Sequence, residues 1–146
     1  MIAFTGLMIG PAPIGPQRYR GRYANRPETL RRVRSDVALY LNTWGLEGPV
    51  VGDAQSVATE LVANAMRHTS SQTIRMSVKR TAWDSVRITV TDSSLKPPVP
   101  AAKLGDAVAE SGRGLLMVEA LARDWGSKIG VTGKQVWADL IAGAAQ

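Results

Sequence analysis

Leu30, Val33, Val37, Leu41 and Trp44 recur at spacings of three and four, which draws one apolar stripe along a helix. Pro27 suits the first turn of that helix and Gly45 its C-terminal stop. Asp53 precedes a second helical pattern, in which Val57, Leu61 and Ala65, joined by Ala58 and Val62, make a broad apolar face running to about His68. The period then falls to two at Ile74, Met76 and Val78 and again at Val86, Ile88 and Val90, with polar residues between. These are two strands, and the short connection Thr81–Asp84 makes them an antiparallel hairpin. From Ser93 to Gly112 the periodicity vanishes, in a segment holding Pro97, Pro98 and Pro100. Loops longer than about 12 to 15 residues are uncommon in compact domains and are usually functional. A third helix is expected from near Gly114, carrying Leu115, Val118, Leu121 and Ala122 inward, and Lys128–Thr132 with Gln135–Ile141 form a closing hairpin around Gly133. Trp44, Trp125 and Trp137 fall on apolar faces, as core or rim packing, whereas Trp83 sits at a hairpin tip and should be exposed. Two or three helices on one face of a mostly antiparallel, mixed sheet make an α+β two-layer sandwich.

Composition narrows the chemistry. The 146 residues are 45% hydrophobic and 21% charged, an ordinary globular mixture long enough for one domain with a sizeable core. Cysteine is absent, which excludes a disulfide framework, zinc–thiolate or iron–sulfur ligation and a thiol nucleophile. A cytoplasmic location is the natural expectation. No apolar run approaches the roughly 18 to 20 residues of a membrane-spanning helix. Residues 1–17 are apolar but broken by Gly10, Pro11, Pro13, Gly15 and Pro16, and are read as a flexible lead-in, Ala3–Ile9 being at most an edge strand. The single domain is then residues 18–146.

Three groups of residues are unexpected on structural grounds alone. Glu60, Asn64 and His68 share one face of the second helix, with Arg67 adjacent. Asn has low propensity in a helix interior. The face is either a solvated polar stripe or a carboxylate and an amide oxygen one turn apart, suited to a nucleotide–magnesium complex. Mg²⁺ takes hard oxygen ligands and often only one or two protein groups beside substrate phosphates. Second, Asp92 ends the strand Val86–Val90 at the mouth of the long loop, as turn chemistry or as an acceptor for an exocyclic amine. Third, Ser111-Gly112-Arg113-Gly114-Leu115 closes that loop and opens a helix, where free N–H groups favour phosphate and Arg113 adds a charge-assisted contact. It is neither a Walker A loop nor a G-x-G-x-x-G fingerprint.

Taken in order, Glu60-Leu61-Val62-x-Asn64-Ala65-x-Arg67-His68, then Asp92-x-Ser94 after a strand, then Gly112-Arg113-Gly114-Leu115, resemble the GHKL ATPase superfamily. The likeness is strongest to its small anti-sigma-factor serine kinases and related single-domain ATP-binding regulators of actinomycetes, over about residues 28 to 141. The resemblance implies a Bergerat-type ATP site under a lid at about residues 95–111. It implies Glu60 as catalytic base, Asn64 as Mg²⁺ ligand, Arg67 as a phosphate contact, Asp92 on the adenine amino group with Ser94 assisting, and Gly112, Arg113 and Gly114 on phosphates, with Leu115 completing the motif. Gly133-Lys134-x-Val136-Trp137 resembles the closing strand. Ser94 stands where many members place Gly, Glu110 where many place a basic residue, and Lys134 where several place Thr beside the adenine pocket.

The implied function is an ATP- and Mg-dependent serine/threonine kinase that acts as an anti-sigma factor, with a sigma factor and a STAS-type anti-anti-sigma protein as partners and a homodimer as a further possibility. A non-catalytic, ATP-gated protein-binding regulator is the alternative, and a nucleic-acid-binding protein, suggested only by the arginines, the weaker third. His68, the only histidine, lies inside the ATP-site helix and is read as capping or packing rather than as a phospho-acceptor.

Charge adds one feature. Eighteen basic residues stand against 12 acidic ones, but residues 18–34 hold seven arginines and one acid, Glu28, leaving eleven of each sign elsewhere. Arg18, Arg20 and Arg22 alternate as on a strand edge, and Arg31, Arg32 and Arg34 flank the first helix's apolar stripe. The expectation is an acidic protein partner for this stretch, away from the ATP motifs.

Overall fold

The computed structural model describes residues 17–93, 109–131 and 133–142, with side chains described outside 109–113. Strand β1 (Arg18–Ala24) is followed by helices α1 (Thr29–Thr43) and α2 (Pro49–His68), the hairpin β2 (Thr73–Ala82) and β3 (Ser85–Asp92), helix α3 (Ala109–Leu121), and the hairpin β4 (Asp124–Gly130) and β5 (Gly133–Ile141). The five strands form one sheet in the order β1-β2-β3-β5-β4. Every pairing among them is antiparallel, so the expected mixed sheet is purely antiparallel across the described residues.

The core lies where the helix stripes meet one sheet face. Val33, Val37 and Leu41 of α1, Val57, Leu61 and Val62 of α2, and Leu115 and Val118 of α3 are buried against Ile74, Met76 and Val78, Val86, Ile88 and Val90, and Val136, Ala138 and Leu140. Each such side chain contributes about 1.5 to 3 kcal/mol by leaving water. Among the described residues no helix covers the other sheet face; β3 alternates throughout between buried and outward residues, and β2 and β5 do so over most of their length.

Element ends follow local chemistry. Gly45, at φ 85°, ends α1, and Leu46 donates its N–H to the Leu41 carbonyl at 2.9 Å. Helix α2 starts earlier than the apolar pattern around Asp53 indicates: Gly48, at φ 85°, turns the chain and Pro49 occupies the first helical turn. Helix α3 also starts early, at Ala109 rather than near Gly114, and β4 begins at Asp124 rather than Lys128. The first hairpin turns at Trp83, which is 74% exposed as expected. Trp44 and Trp125 pack on the core, as their spacing indicates. Trp137 instead lies half-buried on the open sheet face, between two buried neighbours on β5, with the Arg87 guanidinium 4.2 Å over its ring. Residues 1–16 and the segment 94–108 lie outside the described residues, so the lead-in, an edge strand at Ala3–Ile9 and most of the expected lid are not placed.

Strand β1 is an edge strand held to the helix layer by polar groups. Tyr23 donates to Asp36 at 2.6 Å, Tyr19 donates to the same carboxylate at 3.2 Å, and the two phenol oxygens lie 2.6 Å apart. Gly21 permits this, because a Cβ there would run into the Tyr19 phenol and the Tyr23 ring. Burial and the Asp36 carboxylate push the Tyr23 phenol far above its ordinary pKa.

Candidate functional site

The polar face of α2 enters the interior at Asn64, which is only 3% exposed. Its side-chain oxygen has no hydrogen-bond partner among the described residues. A buried acceptor left unsatisfied costs about 1 to 3 kcal/mol, and Asn already disfavours a helix interior. Nothing among the described residues recovers that cost, so Asn64 Oδ1 is an acceptor open to a partner from outside them. One turn earlier Glu60 is half-buried. Its carboxylate faces Gly114, where an added Cβ would collide with Oε1 and come within 3.4 Å of Cδ. Only glycine lets α3 close so tightly over this carboxylate. Arg67 and His68 lie exposed in the last turn of α2.

A second polar pair sits where β3 ends and β5 begins. Asp92 and Lys134 are cross-strand partners, 5% and 1% exposed. Burial lowers the Lys134 pKa below the ordinary lysine value, and the Asp92 charge partly restores it. Beside them Gly133, at φ 150°, lies against the Asp92 carbonyl so closely that no side chain fits. The hydroxyls of Thr69, the residue after α2, and Ser93, the residue after Asp92, share a hydrogen bond of 2.7 Å. That bond ties the C-terminal end of α2 to the end of β3, so the Asn64 face and the Asp92–Lys134 pair belong to one end of the domain.

Of the expected site residues, Glu60, Asn64, Arg67, Asp92, Gly114, Leu115 and Lys134 have described side-chain environments. Gly112 and Arg113 are placed by backbone only, and Ser94 lies outside the described residues. The glycine segment does not open a helix: Gly112-Arg113-Gly114 lies inside α3, which starts at Ala109. The role of Gly114 is therefore close helix–helix approach on Glu60 rather than a free N–H in a first turn. Thr69 is absent from the sequence-based expectations, and Gly133 enters them only as a hairpin turn and the start of the closing strand. The signal for Thr69 is a hydroxyl just past a helix.

The donor set suits a nucleotide with Mg²⁺. Among the described residues no group of three or more His, Cys, Asp or Glu side chains clusters as a metal cage. An orphaned buried amide oxygen is the sort of single hard ligand Mg²⁺ uses beside phosphate oxygens. Asp92, buried at a strand end, can accept from an exocyclic amine, and Glu60 can accept a proton from a hydroxyl.

The family model of the histidine kinase-like ATPase domain matches residues 23–140. No curated protein matches the chain. Among solved structures, the RsbU and RsbW domains of Rv1364c from Mycobacterium tuberculosis superpose with a TM-score of 0.65 at 19% identity, over 86% of this chain and 32% of that one. This chain thus spans about a third of that neighbour. The SiaB–SiaC complex from Pseudomonas aeruginosa superposes with a TM-score of 0.62 at 10% identity, over 84% of this chain and 89% of that one. At these identities the likeness is one of fold.

Proposed function

The chain belongs to the histidine kinase-like ATPase domain family, and on that premise we propose that it is an ATP-dependent protein serine/threonine kinase of the anti-sigma-factor type. The observation that carries the reading is the unsatisfied Asn64 oxygen buried one helical turn from a carboxylate capped by Gly114.

In this reading Asp92 accepts a hydrogen bond from the adenine amino group, which selects adenine over guanine. Lys134, buried beside it, keeps the Asp92 side of the pocket from carrying an uncompensated charge. Asn64 would hold Mg²⁺ through its side-chain oxygen, and Arg67 would contact the phosphates. Bound Mg²⁺ neutralises charge on the phosphates. Glu60 accepts the proton of the attacking hydroxyl, and its contact with Gly114 fixes where that carboxylate can stand. The acceptor is a serine or threonine of an anti-anti-sigma partner, and a sigma factor is the regulated target. Support for partners of this kind is the run of motif residues in the α2 sequence together with the fold shared with an RsbW domain and the SiaB–SiaC complex.

The test is transfer of label from γ-labelled Mg·ATP to a STAS-type antagonist from the same cell. Wild type should phosphorylate it, and Glu60→Ala should bind ATP but transfer at least about 100-fold less, the usual weight of a general base. Binding of ATP with no transfer to any cognate antagonist would replace the kinase by a regulator gated by ATP alone.

A further inference from the structure

The register of the sheet gathers basic residues that the sequence scatters. Side chains of Arg18, Arg20 and Arg22 on β1, Arg75 and Lys79 on β2, and Arg87 on β3 all lie on the strand positions that point away from the helices. Neighbours along a strand are then about 6.7 Å apart and those across strands about 4.8 Å. Three directly opposed pairs carry like charge: Arg18 with Lys79, Arg22 with Arg75, and Lys79 with Arg87. Like charges facing each other across strands destabilise a sheet. Among the described residues only Arg87 of these six has an ion-pair partner, Asp139, at 2.7 Å. Arg20, Arg22 and Arg75 also border a depression of about 570 Å³, floored by Ser77, Thr89 and Thr91. This face lies opposite the helix layer, whereas Asn64 and Lys134 are buried; at its edge Arg22 and Arg75 line a smaller depression of about 250 Å³ that reaches Asp92.

We propose that the open face of β1–β3 docks an acidic, extended segment of a partner protein, whose carboxylates satisfy the opposed arginines and lysine. The like-charge pairs weaken the sheet alone and are relieved only when an anionic ligand lies between them. Two other occupants fit less well. A second copy would bring the same six cations onto themselves. Single-stranded nucleic acid is held by aromatic stacking platforms, yet β1 and β2 place no aromatic side chain on this face, and the Trp137 ring is already covered by Arg87. Within the arginine-rich stretch, the proposal separates β1 from α1: Arg31 and Arg34 stand on a helix of the opposite layer.

Two double variants with the same change in net charge test it. Arg22→Glu/Lys79→Glu removes four units of positive charge from the face and converts the three like-charged pairs into opposite ones, so its melting temperature should rise. Arg31→Glu/Arg34→Glu is the control. An exposed ion pair is worth up to about fivefold in affinity. Fluorescein-labelled poly-L-glutamate, followed by anisotropy at moderate salt, should therefore bind the first variant roughly tenfold more weakly than wild type and the control within about twofold. ATP affinity should be the same in all three. Equal losses in both variants would overturn the proposal. So would a labelled oligodeoxythymidine that binds wild type more tightly than polyglutamate and loses affinity in the first variant, or a wild-type dimer that the first variant dissociates in sedimentation. If the first variant does not fold, Arg22→Ser/Lys79→Ser is measured in its place against the same outcomes.

Discussion

Gly114→Ala isolates the placement of the Glu60 carboxylate from the fold that carries it. Gly114 is buried in α3 with ordinary helical backbone, so alanine gains about 0.8 to 1 kcal/mol of helix propensity there. The added methyl collides with Glu60 Oε1, the far end of a flexible side chain, and stays 3.4 Å from Cδ and 3.6 Å from the Glu60 Cβ. The collision is relieved by turning the carboxylate out of its present rotamer, at about 0.5 to 1.5 kcal/mol. The two contributions nearly cancel, so the melting temperature should move by no more than a few degrees. The carboxylate nevertheless moves by about 1 Å, and misplacement on that scale costs about 100-fold in rate. Three measurements on one preparation separate these effects: a thermal melt, ATP affinity by fluorescence, and label transfer to a cognate antagonist. Expected are an unchanged melt, ATP affinity within about threefold, and transfer slowed about 100-fold. Full transfer would refute the placement of Glu60 as the base at the α2–α3 contact. An equal fall in ATP affinity and transfer would mean that Gly114 serves nucleotide binding instead.

Further outcomes follow from the same geometry. Gly133→Ala forces a side chain against the Asp92 backbone carbonyl at φ 150°, and should cost about 2 to 4 kcal/mol in denaturant unfolding while weakening ATP binding. Tyr23→Phe removes the 2.6 Å hydrogen bond to Asp36 and should cost about 1.5 to 3 kcal/mol. The raised Tyr23 pKa gives the sign with pH: its stabilisation is complete below the ordinary tyrosine value near 10 and lost as pH rises above it, because only the unfolded chain ionises there. Tyr23→Phe should flatten that alkaline loss in a pH series of melts. Lys134 has the opposite sense: its lowered pKa makes stability rise with pH as the unfolded lysine approaches its ordinary value near 10.5, and Lys134→Met should abolish that rise.

Periodicity carried the fold well because each helix buries one stripe and each strand one face. It failed at element starts, where Pro49 after a left-handed Gly48 begins α2 before any apolar stripe exists. It also failed at α3, because the apolar stripe that marks this helix in the sequence begins only at Leu115, six residues after its start at Ala109. Glu60 and Asn64 were legible as a candidate site because an asparagine on a helix interior contradicts local propensity. The partnership of Asp92 with Lys134 was not, since strand register decides it across 42 residues of sequence. The same register hid the basic face. Counted along the chain, Arg75, Lys79 and Arg87 belong to a neutral remainder, but the acids that balance them lie elsewhere, apart from Asp139 against Arg87. Trp137 was misplaced for a related reason, because an apolar residue at an outward position is covered by a guanidinium rather than by the core.

Calorimetric titration of Mg·ATP and Mg·GTP into wild type, Asn64→Ala and Asp92→Asn tests the central claim, a nucleotide site on the α2 face read by Asp92. Wild type should bind ATP in preference to GTP. Asn64→Ala should lose at least about tenfold for Mg·ATP, and Asp92→Asn should lose about as much for ATP while discriminating less against GTP. Equal ATP affinity in all three proteins, with no preference for adenine, would contradict it.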